Sequence, residues 1–359
     1  MLQQGPRLSP DRPITWTDPA RHAAFERWLA KLAPAHGLDA ASLRPASADA
    51  SFRRYFRVDG TQGSRIVMDA PPSHEDCAPF VKVAGLLHGG GLRVPRVLDW
   101  QRDEGFLLLD DLGATTYLAA LEGPPRLDAA QARGLYLDAL DALVRLQRIE
   151  AQGAVPAYDR ALLQRELDLF PEWYIARHCG VTLDDTERER LARCMTLILD
   201  ACTAQPSVLV HRDYHSRNLM LGGVSGGPGV LDFQDAVWGP VTYDLASLLR
   251  DAYVEWDEEV QIDWAVRWWE QARKAGLPVA ADFGSFWRDF EWMGLQRHLK
   301  VLGIFARLHQ RDGKDGYLKD LPLVWRYAHR VAMRYGALKP LAVLLEKLAG
   351  TQRVDGYTF

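Results

Sequence analysis

The spacing of hydrophobic residues divides the chain into stretches with different predicted structures. The first 20 residues are polar and contain four prolines, which disfavour a regular element and predict a flexible N-terminal arm. In residues 23–32, apolar side chains then recur at helical spacing, namely Phe25, Trp28, Leu29 and Leu32. Because the pattern stops before Pro34 and Gly37, we expect a short amphipathic helix here.

Between Ser51 and Asp110 the spacing changes to the alternation that is typical of β-structure. A turn is expected between Gly60 and Gly63, so the strands on either side are predicted to pair as a hairpin. The predicted elements are the two hairpin strands, one helix and two further strands, at residues 52–58, 65–68, 77–87, near Val97 and at 106–109. Residues 21–110 are therefore predicted to form a small β-rich lobe with one main helix.

The rest of the chain shows mostly helical spacing. Helices are expected around residues 135–146 and over 191–204, followed by one apolar β-type run at 208–210. Helical spacing returns over 245–347, where aromatic residues are frequent. These patterns predict an α+β protein of two lobes, in which residues 111–359 form a larger, mostly α-helical lobe.

Composition and charge narrow the classes of function. The 359 residues are 48% hydrophobic and 25% charged, which is typical of a folded globular protein large enough to enclose a cleft. A net charge of −4 provides no general basic field, so nucleic acid is not an expected partner. The sequence begins without a signal-peptide pattern and contains no apolar stretch of spanning length, so we expect a cytoplasmic protein without a membrane partner.

One stretch of the second lobe combines residues suited to phosphoryl transfer. Two short apolar runs flank a loop of Gly, Ser and Pro, and pairing Leu221 with Val230 in a hairpin would bring Asn218 next to Asp232. Amide and carboxylate oxygens are ligands that suit Mg²⁺. Asp213, five residues before Asn218, would lie at the same end and could orient and deprotonate an attacking hydroxyl. We therefore predict an ATP-dependent kinase with Asp213 as base and Mg²⁺ on Asn218 and Asp232.

The order of these residues follows the kinase pattern of H-R-D, an Asn five residues after the Asp, and a later D-F. The motif residues resemble those of the aminoglycoside phosphotransferase and choline kinase superfamily, and they are His211, Asp213, Asn218, Leu231-Asp232-Phe233 and Tyr243-Asp244-Leu245-Ala246. The resemblance implies a protein-kinase-like two-lobed fold, ATP as co-substrate and Mg²⁺ as cofactor. It also implies that Asp244 supports the catalytic loop.

A second set of segments resembles a narrower family. Residues 49–57, 67–72, 106–113 and 231–236 are similar to those of the bacterial N-acetylmuramate/N-acetylglucosamine anomeric kinases of peptidoglycan recycling. This resemblance implies phosphorylation of the C1 hydroxyl of a free amino sugar and a functional link to a nucleotidyltransferase that uses the sugar 1-phosphate. An anomeric hydroxyl is relatively acidic, which suits activation by a single aspartate.

Three alternatives remain open from the sequence. The protein could be an aminoglycoside or choline-type kinase, because the general motifs are shared. The spacing His211-x-Asp213-x-His215 could instead form a metal cluster of the kind found in hydrolases. A kinase fold that binds nucleotide or sugar without catalysis is the third, since one usual phosphate-binding residue is missing.

That missing residue belongs to the nucleotide site. No G-x-G-x-x-G precedes the first hairpin, and its second strand ends in Asp69 where kinases usually carry a Lys. A phosphate-binding cation is therefore expected from Arg53, Arg54 or Lys82. Backbone N–H groups around Ser51 and Phe52 could also cradle phosphate, and adenine is expected on the backbone around Asp110 to Leu112.

For the sugar, the sequence offers polar side chains close to the catalytic motifs. The predicted contacts are His215, Gln234, Asp235 and Tyr243. A role for His215 in bracing the catalytic loop is equally compatible with its position.

Overall fold

The structure is a computed structural model that describes residues 14–48, 52–222 and 227–354. The chain forms two compact units, of which the first comprises Met1–Ala114 and Gly229–Asp235 and the second comprises Thr115–Pro228 and Ala236–Phe359. The boundary between the two units therefore lies a few residues after the predicted division at residue 110. The prediction also placed residues 229–235 in the larger lobe, whereas in the structure they pack with the first unit.

The first unit contains an antiparallel five-stranded sheet. Its elements are α1 (Pro19–His36), β1 (Leu38–Ala48), β2 (Arg54–Gly60), β3 (Arg65–Asp69), α2 (Ala78–Gly89), β4 (Val97–Gln101) and β5 (Phe106–Asp110). The strand order is β1-β2-β3-β5-β4. In the β2–β3 hairpin Arg54 lies opposite Asp69 and Val58 lies opposite Arg65, which confirms the predicted pairing. Strand β1 was not predicted.

Helix α1 covers one face of this sheet. Its apolar side packs against residues of β2, β3 and β5, and the shared core contains Phe25, Trp28, Leu29, Leu32, Phe56, Val58, Val67, Phe106 and Leu108. The predicted end of the helix before Pro34 is wrong, because α1 continues to His36. A proline in the last turn removes a single backbone donor, whereas Gly37 with φ 60° ends the helix in a conformation that other residues disfavour.

The predicted flexible arm over residues 1–20 is wrong for the part that the structure describes. Helix α1 already begins at Pro19, with the Asp18 side chain accepting a hydrogen bond from the backbone N–H of Ala20. The Trp16 ring lies 5.0 Å from the Phe25 ring, so it extends the α1 core. Residues 1–13 lie outside the described residues.

Residues 229–235 are held in the first unit by contacts with its helical side. The backbone N–H of Val230 donates to the carbonyl of Arg93 at 2.8 Å. Phe233 is fully buried, and its ring lies 4.9 Å from that of Phe80 in α2. The segment that carries Asp232 is therefore fixed by packing on both sides of that residue.

The second unit is mostly helical, as predicted. The strands that follow in the chain are β6 (Ser207–Val210), β7 (Leu219–Met220), β8 (Gly229–Val230), which belongs to the first unit, and β9 (Val237–Pro240), which pairs with β6. The α-helices are α3 (Tyr117–Leu121), α4 (Ala129–Gln147), α5 (Arg160–Leu167), α6 (Asp185–Thr203), α7 (Tyr243–Leu249), α8 (Glu258–Lys274), α9 (Phe283–Asp312), α10 (Leu321–Arg334) and α11 (Lys339–Val354). Short helices of other types span Phe170–His178, Asp315–Asp320 and Gly336–Leu338.

Helix α9 is the central element of this unit. It packs against α6, α7, α10 and the π-helical segment Phe170–His178, and it is buried over most of its middle. Because Arg297, His298 and Lys300 lie in that buried stretch, α9 also carries polar groups into the interior. Within the ranges that the structure describes, no helix combines the length and apolar character required to cross a membrane.

The close approach of α9 to the backbone of Leu169 predicts opposite effects on stability for two Gly→Ala substitutions. A Cβ atom built on Gly303 would lie 2.5 Å from the backbone carbonyl of Leu169, so Gly303→Ala should lower the free energy of unfolding by about 1–3 kcal/mol. Gly134, on the exposed side of α4, has no atom within 4 Å of its built Cβ, so Gly134→Ala should raise stability by about 0.5–1 kcal/mol. Urea denaturation of both variants measures this, and equal effects would contradict the packing.

Candidate active site

A loop between β6 and β7 carries most of the predicted catalytic residues, and it is held by the carboxylate of Asp244. This carboxylate, fully buried in the first turn of α7, accepts hydrogen bonds from the backbone N–H groups of His211 at 2.6 Å and Arg212 at 3.0 Å. Arg212 has φ 76°, a left-handed conformation that is unfavourable for a residue with a long side chain. Asp244 therefore stabilises a strained turn, in agreement with the loop-supporting role implied by the sequence.

The environment of Asp244 is dominated by its burial. Burial raises the pKa of its carboxyl to about 7, while the two backbone N–H donors act in the opposite direction. The two hydrogen bonds favour the ionised carboxylate and so partly offset the cost of burying its charge.

Asp213 follows this turn and is the predicted base. Its side chain is 45% exposed, whereas the neighbouring His211 is buried and accepts the backbone N–H of Asp213 on Nδ1 at 3.2 Å. The side-chain amide of Asn218 donates to the backbone carbonyl of Asp213 at 3.0 Å. The loop therefore fixes the backbone of Asp213 from both sides and leaves its carboxylate accessible to solvent.

The charge of Asp213 is also controlled by its surroundings. Burial by itself raises the pKa of the carboxyl, but the positive charge of Lys300, with smaller effects from His215 and Arg297, outweighs this and lowers the pKa to about 2. Asp213 is therefore ionised throughout the neutral range. It can accept a hydrogen bond from a hydroxyl at any physiological pH.

Lys300 belongs to a buried charge cluster around Glu166, which the sequence did not reveal. The Glu166 carboxylate binds Lys300 Nζ at 2.8 Å, the guanidinium of Arg212 at 2.5 Å and the hydroxyl of Tyr158. Glu166 lies in α5 and Lys300 in α9, so no local motif connects them to the catalytic loop. Their only signal in the sequence is that each is a charge within an otherwise apolar helical pattern.

Two of the predicted sugar contacts lie in the second unit. The Nε2 atom of His215 is 4.0 Å from Oδ1 of Asp213, and the ring is largely buried against Tyr253. Tyr243 is fully buried, and its hydroxyl accepts a hydrogen bond from Lys300 at 3.0 Å. In this structure the Tyr243 hydroxyl holds Lys300, and its contact with the sugar stays a prediction.

Of the other predicted metal and sugar residues, Asp232, Gln234 and Asp235 lie in the first unit, whereas Asn218 lies in the second. Asp232 has φ 63°, and its carboxylate accepts a hydrogen bond from the side-chain amide of Gln234 at 2.8 Å. Asp235 is exposed. The predicted strands on either side of the glycine-rich loop are both present as β7 and β8, with Asn218 immediately before the first and Asp232 shortly after the second.

The predicted phosphate ligands have different environments. Arg54 forms an ion pair with Asp69, and its guanidinium lies 4.0 Å above the ring of Trp16. Asp69 is also bound by Arg21 of α1, so Arg54 helps to attach α1 to the sheet, and its contact with phosphate stays a prediction.

Arg53 forms an ion pair with Glu75 at 3.0 Å, and Lys82 is exposed on α2. Phe52 is 63% exposed, with its ring stacked on that of His74. Ser51 lies outside the described residues.

The predicted adenine-binding stretch is anchored within the first unit. Asp110 pairs with Arg96 at 2.5 Å, and the backbone carbonyl of Leu112 accepts a hydrogen bond from Arg93 at 2.9 Å. Asp111 binds Arg57 and the hydroxyl of Ser64. These contacts fix the path of the chain directly after β5.

The hydrolase alternative requires a cluster of metal ligands. Across the described portions of the chain, no group of three or more His, Cys, Asp and Glu side chains is arranged to hold a metal ion. His211 instead uses Nδ1 to accept the backbone N–H of Asp213. The geometry therefore favours the kinase interpretation of the same residues.

The two units and the catalytic loop define a phosphotransferase with the protein-kinase-like fold. The model of the phosphotransferase enzyme family, APH, matches residues 42–290, and the chain belongs to this family. Among curated relatives, an N-acetylmuramate/N-acetylglucosamine kinase of Neisseria meningitidis is 47% identical, covering 94% of this chain and 99% of the relative. A protein of the same name from Pseudomonas aeruginosa is 48% identical, covering 92% and 98%. The predicted phosphotransferase activity and the resemblance are confirmed.

Solved structures confirm the fold. An ethanolamine kinase of Plasmodium vivax superposes with a TM-score of 0.60 at 10% identity, over 89% of this chain and 91% of that one. A macrolide 2'-phosphotransferase of Brachybacterium faecium gives 0.54 at 17% identity, over 83% and 97%. At such low identity these similarities describe the fold alone.

The support of the catalytic loop by Asp244 can be tested by Asp244→Asn. The amide has one acceptor oxygen and would place an NH₂ group against the second backbone N–H, so stability should fall by about 1–3 kcal/mol. Displacement of Asp213 should lower kcat by about 100-fold. Asp282→Asn, at the N-cap of α9, is the matched control and should leave both quantities unchanged, because Asn caps helices as well as Asp. An Asp244→Asn variant with full kcat would contradict this role.

The influence of Lys300 on Asp213 predicts a change in pH dependence. In Lys300→Met the pKa of Asp213 should rise, since its strongest positive neighbour is lost. The acid limb of kcat/KM should therefore move to higher pH, because Asp213 must be ionised to act. The exposed Lys274 provides the control variant Lys274→Met, for which the profile should not shift. An unshifted acid limb in Lys300→Met would show that Lys300 does not set this pKa.

Proposed function

We propose that the protein is an ATP-dependent kinase that phosphorylates the anomeric hydroxyl of N-acetylmuramate and N-acetylglucosamine. The observation that carries the proposal is the accessible, ionised carboxylate of Asp213 on a loop whose backbone is fixed on both sides. The names of relatives at 47% and 48% identity support an amino sugar as the acceptor. The anomeric position is inferred from the acidity of that hydroxyl and from the motif resemblance.

In this mechanism Asp213 acts mainly by orientation. Its carboxylate accepts the hydrogen bond of the C1 hydroxyl and directs the oxygen lone pair toward the γ-phosphorus of ATP. A carboxylate with a pKa of about 2 is a weak base, so the proton moves to it only as the bond from the C1 oxygen to phosphorus forms. In the same step the bond between the γ-phosphorus and the β–γ bridging oxygen breaks, and ADP leaves. The nearby charge of Lys300 keeps the carboxylate ready for the next substrate.

The proposed metal ligands are Asn218 and Asp232. The amide nitrogen of Asn218 is occupied by the carbonyl of Asp213, which orients the amide so that its oxygen lies on the other side. Amide and carboxylate oxygens form the hard donor set that Mg²⁺ prefers when phosphates and water complete its coordination. When bound, Mg²⁺ would neutralise charge on the transferring phosphates. Gln234, which donates to Asp232, would hold that carboxylate in position.

The nucleotide is proposed to bind the first unit. The backbone around Asp110 to Leu112 would receive adenine, because the contacts of Arg93 and Arg96 hold that stretch in place. Arg53, with the backbone of Ser51 and Phe52, is the proposed phosphate contact. His215 and Asp235 are proposed as contacts of the sugar.

The product of this reaction is a sugar 1-phosphate. A nucleotidyltransferase is the class of enzyme that would consume it, which would place the protein in peptidoglycan recycling in the cytoplasm.

Incubation of the protein with ATP, Mg²⁺ and each candidate acceptor tests the proposal. With N-acetylmuramate or N-acetylglucosamine we expect loss of the reducing end and formation of an acid-labile phosphate, measured by reducing-sugar assay and phosphorus NMR. Asp213→Asn should lower kcat by at least about 100-fold while leaving nucleotide binding intact. Asp138→Asn, on the exposed side of α4, is the charge-matched control. Turnover of an aminoglycoside or choline but neither sugar would overturn the proposal.

A further inference from the structure

Arg297 is a buried cation with no direct partner among the described residues. It is 3% exposed, and its Nε and Nη1 atoms donate no hydrogen bond to a described atom. In the same part of the chain no carboxylate lies within 4.0 Å of its guanidinium, and its charge acts at longer range on Asp213 and Asp244. A buried guanidinium without a direct acceptor is energetically costly, so its retention calls for a ligand that supplies one.

Three other cations near the catalytic loop are paired with carboxylates. Lys300 and Arg212 both bind Glu166, and Arg250 binds Glu291 at 2.9 Å. Arg297 therefore differs from these three cations in charge balance. An anion bound to the Arg297 guanidinium would give this cation a negatively charged partner, as Lys300, Arg212 and Arg250 already have.

Helix geometry places Arg297 toward the catalytic loop. Gly294, one turn earlier, packs against α7, where its built Cβ would lie 3.7 Å from the Cβ of Ala246. Lys300, one turn later, binds Tyr243 at the start of α7. Residues three apart on a helix are neighbours on its surface, so Arg297 lies between these two contacts.

The charge of Arg297 acts on the groups around the proposed base. It lowers the pKa of both Asp213 and His215. The Nδ1 atom of His215, whose Nε2 lies 4.0 Å from Oδ1 of Asp213, is buried and also has no hydrogen-bond partner among the described residues. Two buried polar groups without partners therefore influence the carboxylate that is proposed to orient the sugar.

We propose that Arg297 is a specificity-determining residue that binds the carboxylate of an acidic sugar substrate, and this inference rests on the proposed function. N-acetylmuramate differs from N-acetylglucosamine by a lactyl ether that ends in a carboxylate. Presenting this anion next to ionised Asp213 is unfavourable unless a cation compensates it. A guanidinium can do so with two parallel hydrogen bonds to the carboxylate oxygens. The neutral sugar makes no such demand.

The test compares the two sugars in one variant. Arg297→Met should lower the ratio of kcat/KM for N-acetylmuramate to that for N-acetylglucosamine by about 10- to 100-fold, mainly through a higher KM for the acid. Arg297→Lys should recover part of the ratio, because it restores charge without the bidentate geometry. Arg288→Met is the control, since it removes an exposed cation from the same helix about 13 Å away along the axis, and the ratio should not change.

A second arm uses the unaltered protein. The methyl ester of N-acetylmuramate lacks the negative charge, so the wild-type protein should have a lower kcat/KM for the ester than for the acid. The Arg297→Met variant should have similar kcat/KM values for the acid and the ester. An equal loss of kcat for both sugars in Arg297→Met would assign Arg297 to the transferred phosphoryl group and overturn the proposal. So would an unchanged ratio. If wild type phosphorylates neither sugar, the proposed function itself fails.

Discussion

The hydrogen bonds from the catalytic loop to Asp244 are the constraint on which the proposed chemistry depends. Arg212 adopts a left-handed backbone conformation that is unfavourable for a residue with a long side chain. The loop keeps this turn because the Asp244 carboxylate accepts hydrogen bonds from the backbone N–H groups of His211 and Arg212. The turn sets the direction of Asp213. A fully buried carboxylate thereby determines where the carboxylate of the proposed base lies.

Charge balance provides the second layer of control. Arg212 belongs to the strained turn, and its side chain reaches Glu166, which also binds Lys300. Glu166 therefore connects the backbone of the catalytic loop to the cation that lowers the pKa of Asp213. Position and ionisation of the base are controlled by one connected set of contacts. Helix α9 contributes to this set of contacts because its buried stretch carries the charged residue Lys300, where most buried helices carry apolar residues.

The sequence predicted those parts of the molecule whose signal is local. The β2–β3 hairpin followed from alternation and a turn, and the spacing of Asp213, Asn218 and Asp232 indicated phosphoryl transfer. Strand β1 was missed because Leu38–Ala48 has few large apolar residues and no β-branched residue, and it is held by pairing with β2. Glu166, Lys300 and Arg297 were missed for a different reason. Their surroundings form only when helices distant in sequence pack together, and the residue spacing within α5 or α9 does not predict which helices meet.

The small lobe shows how one altered residue changes the role of its surroundings. Asp69 stands where kinases usually carry a Lys, which suggested that a neighbouring arginine takes over phosphate binding. Asp69 follows Val67 by two residues in β3, so both point to the face covered by α1. There Asp69 binds Arg21 from α1 and Arg54 from β2. The altered position thus joins α1 to the sheet through two arginines.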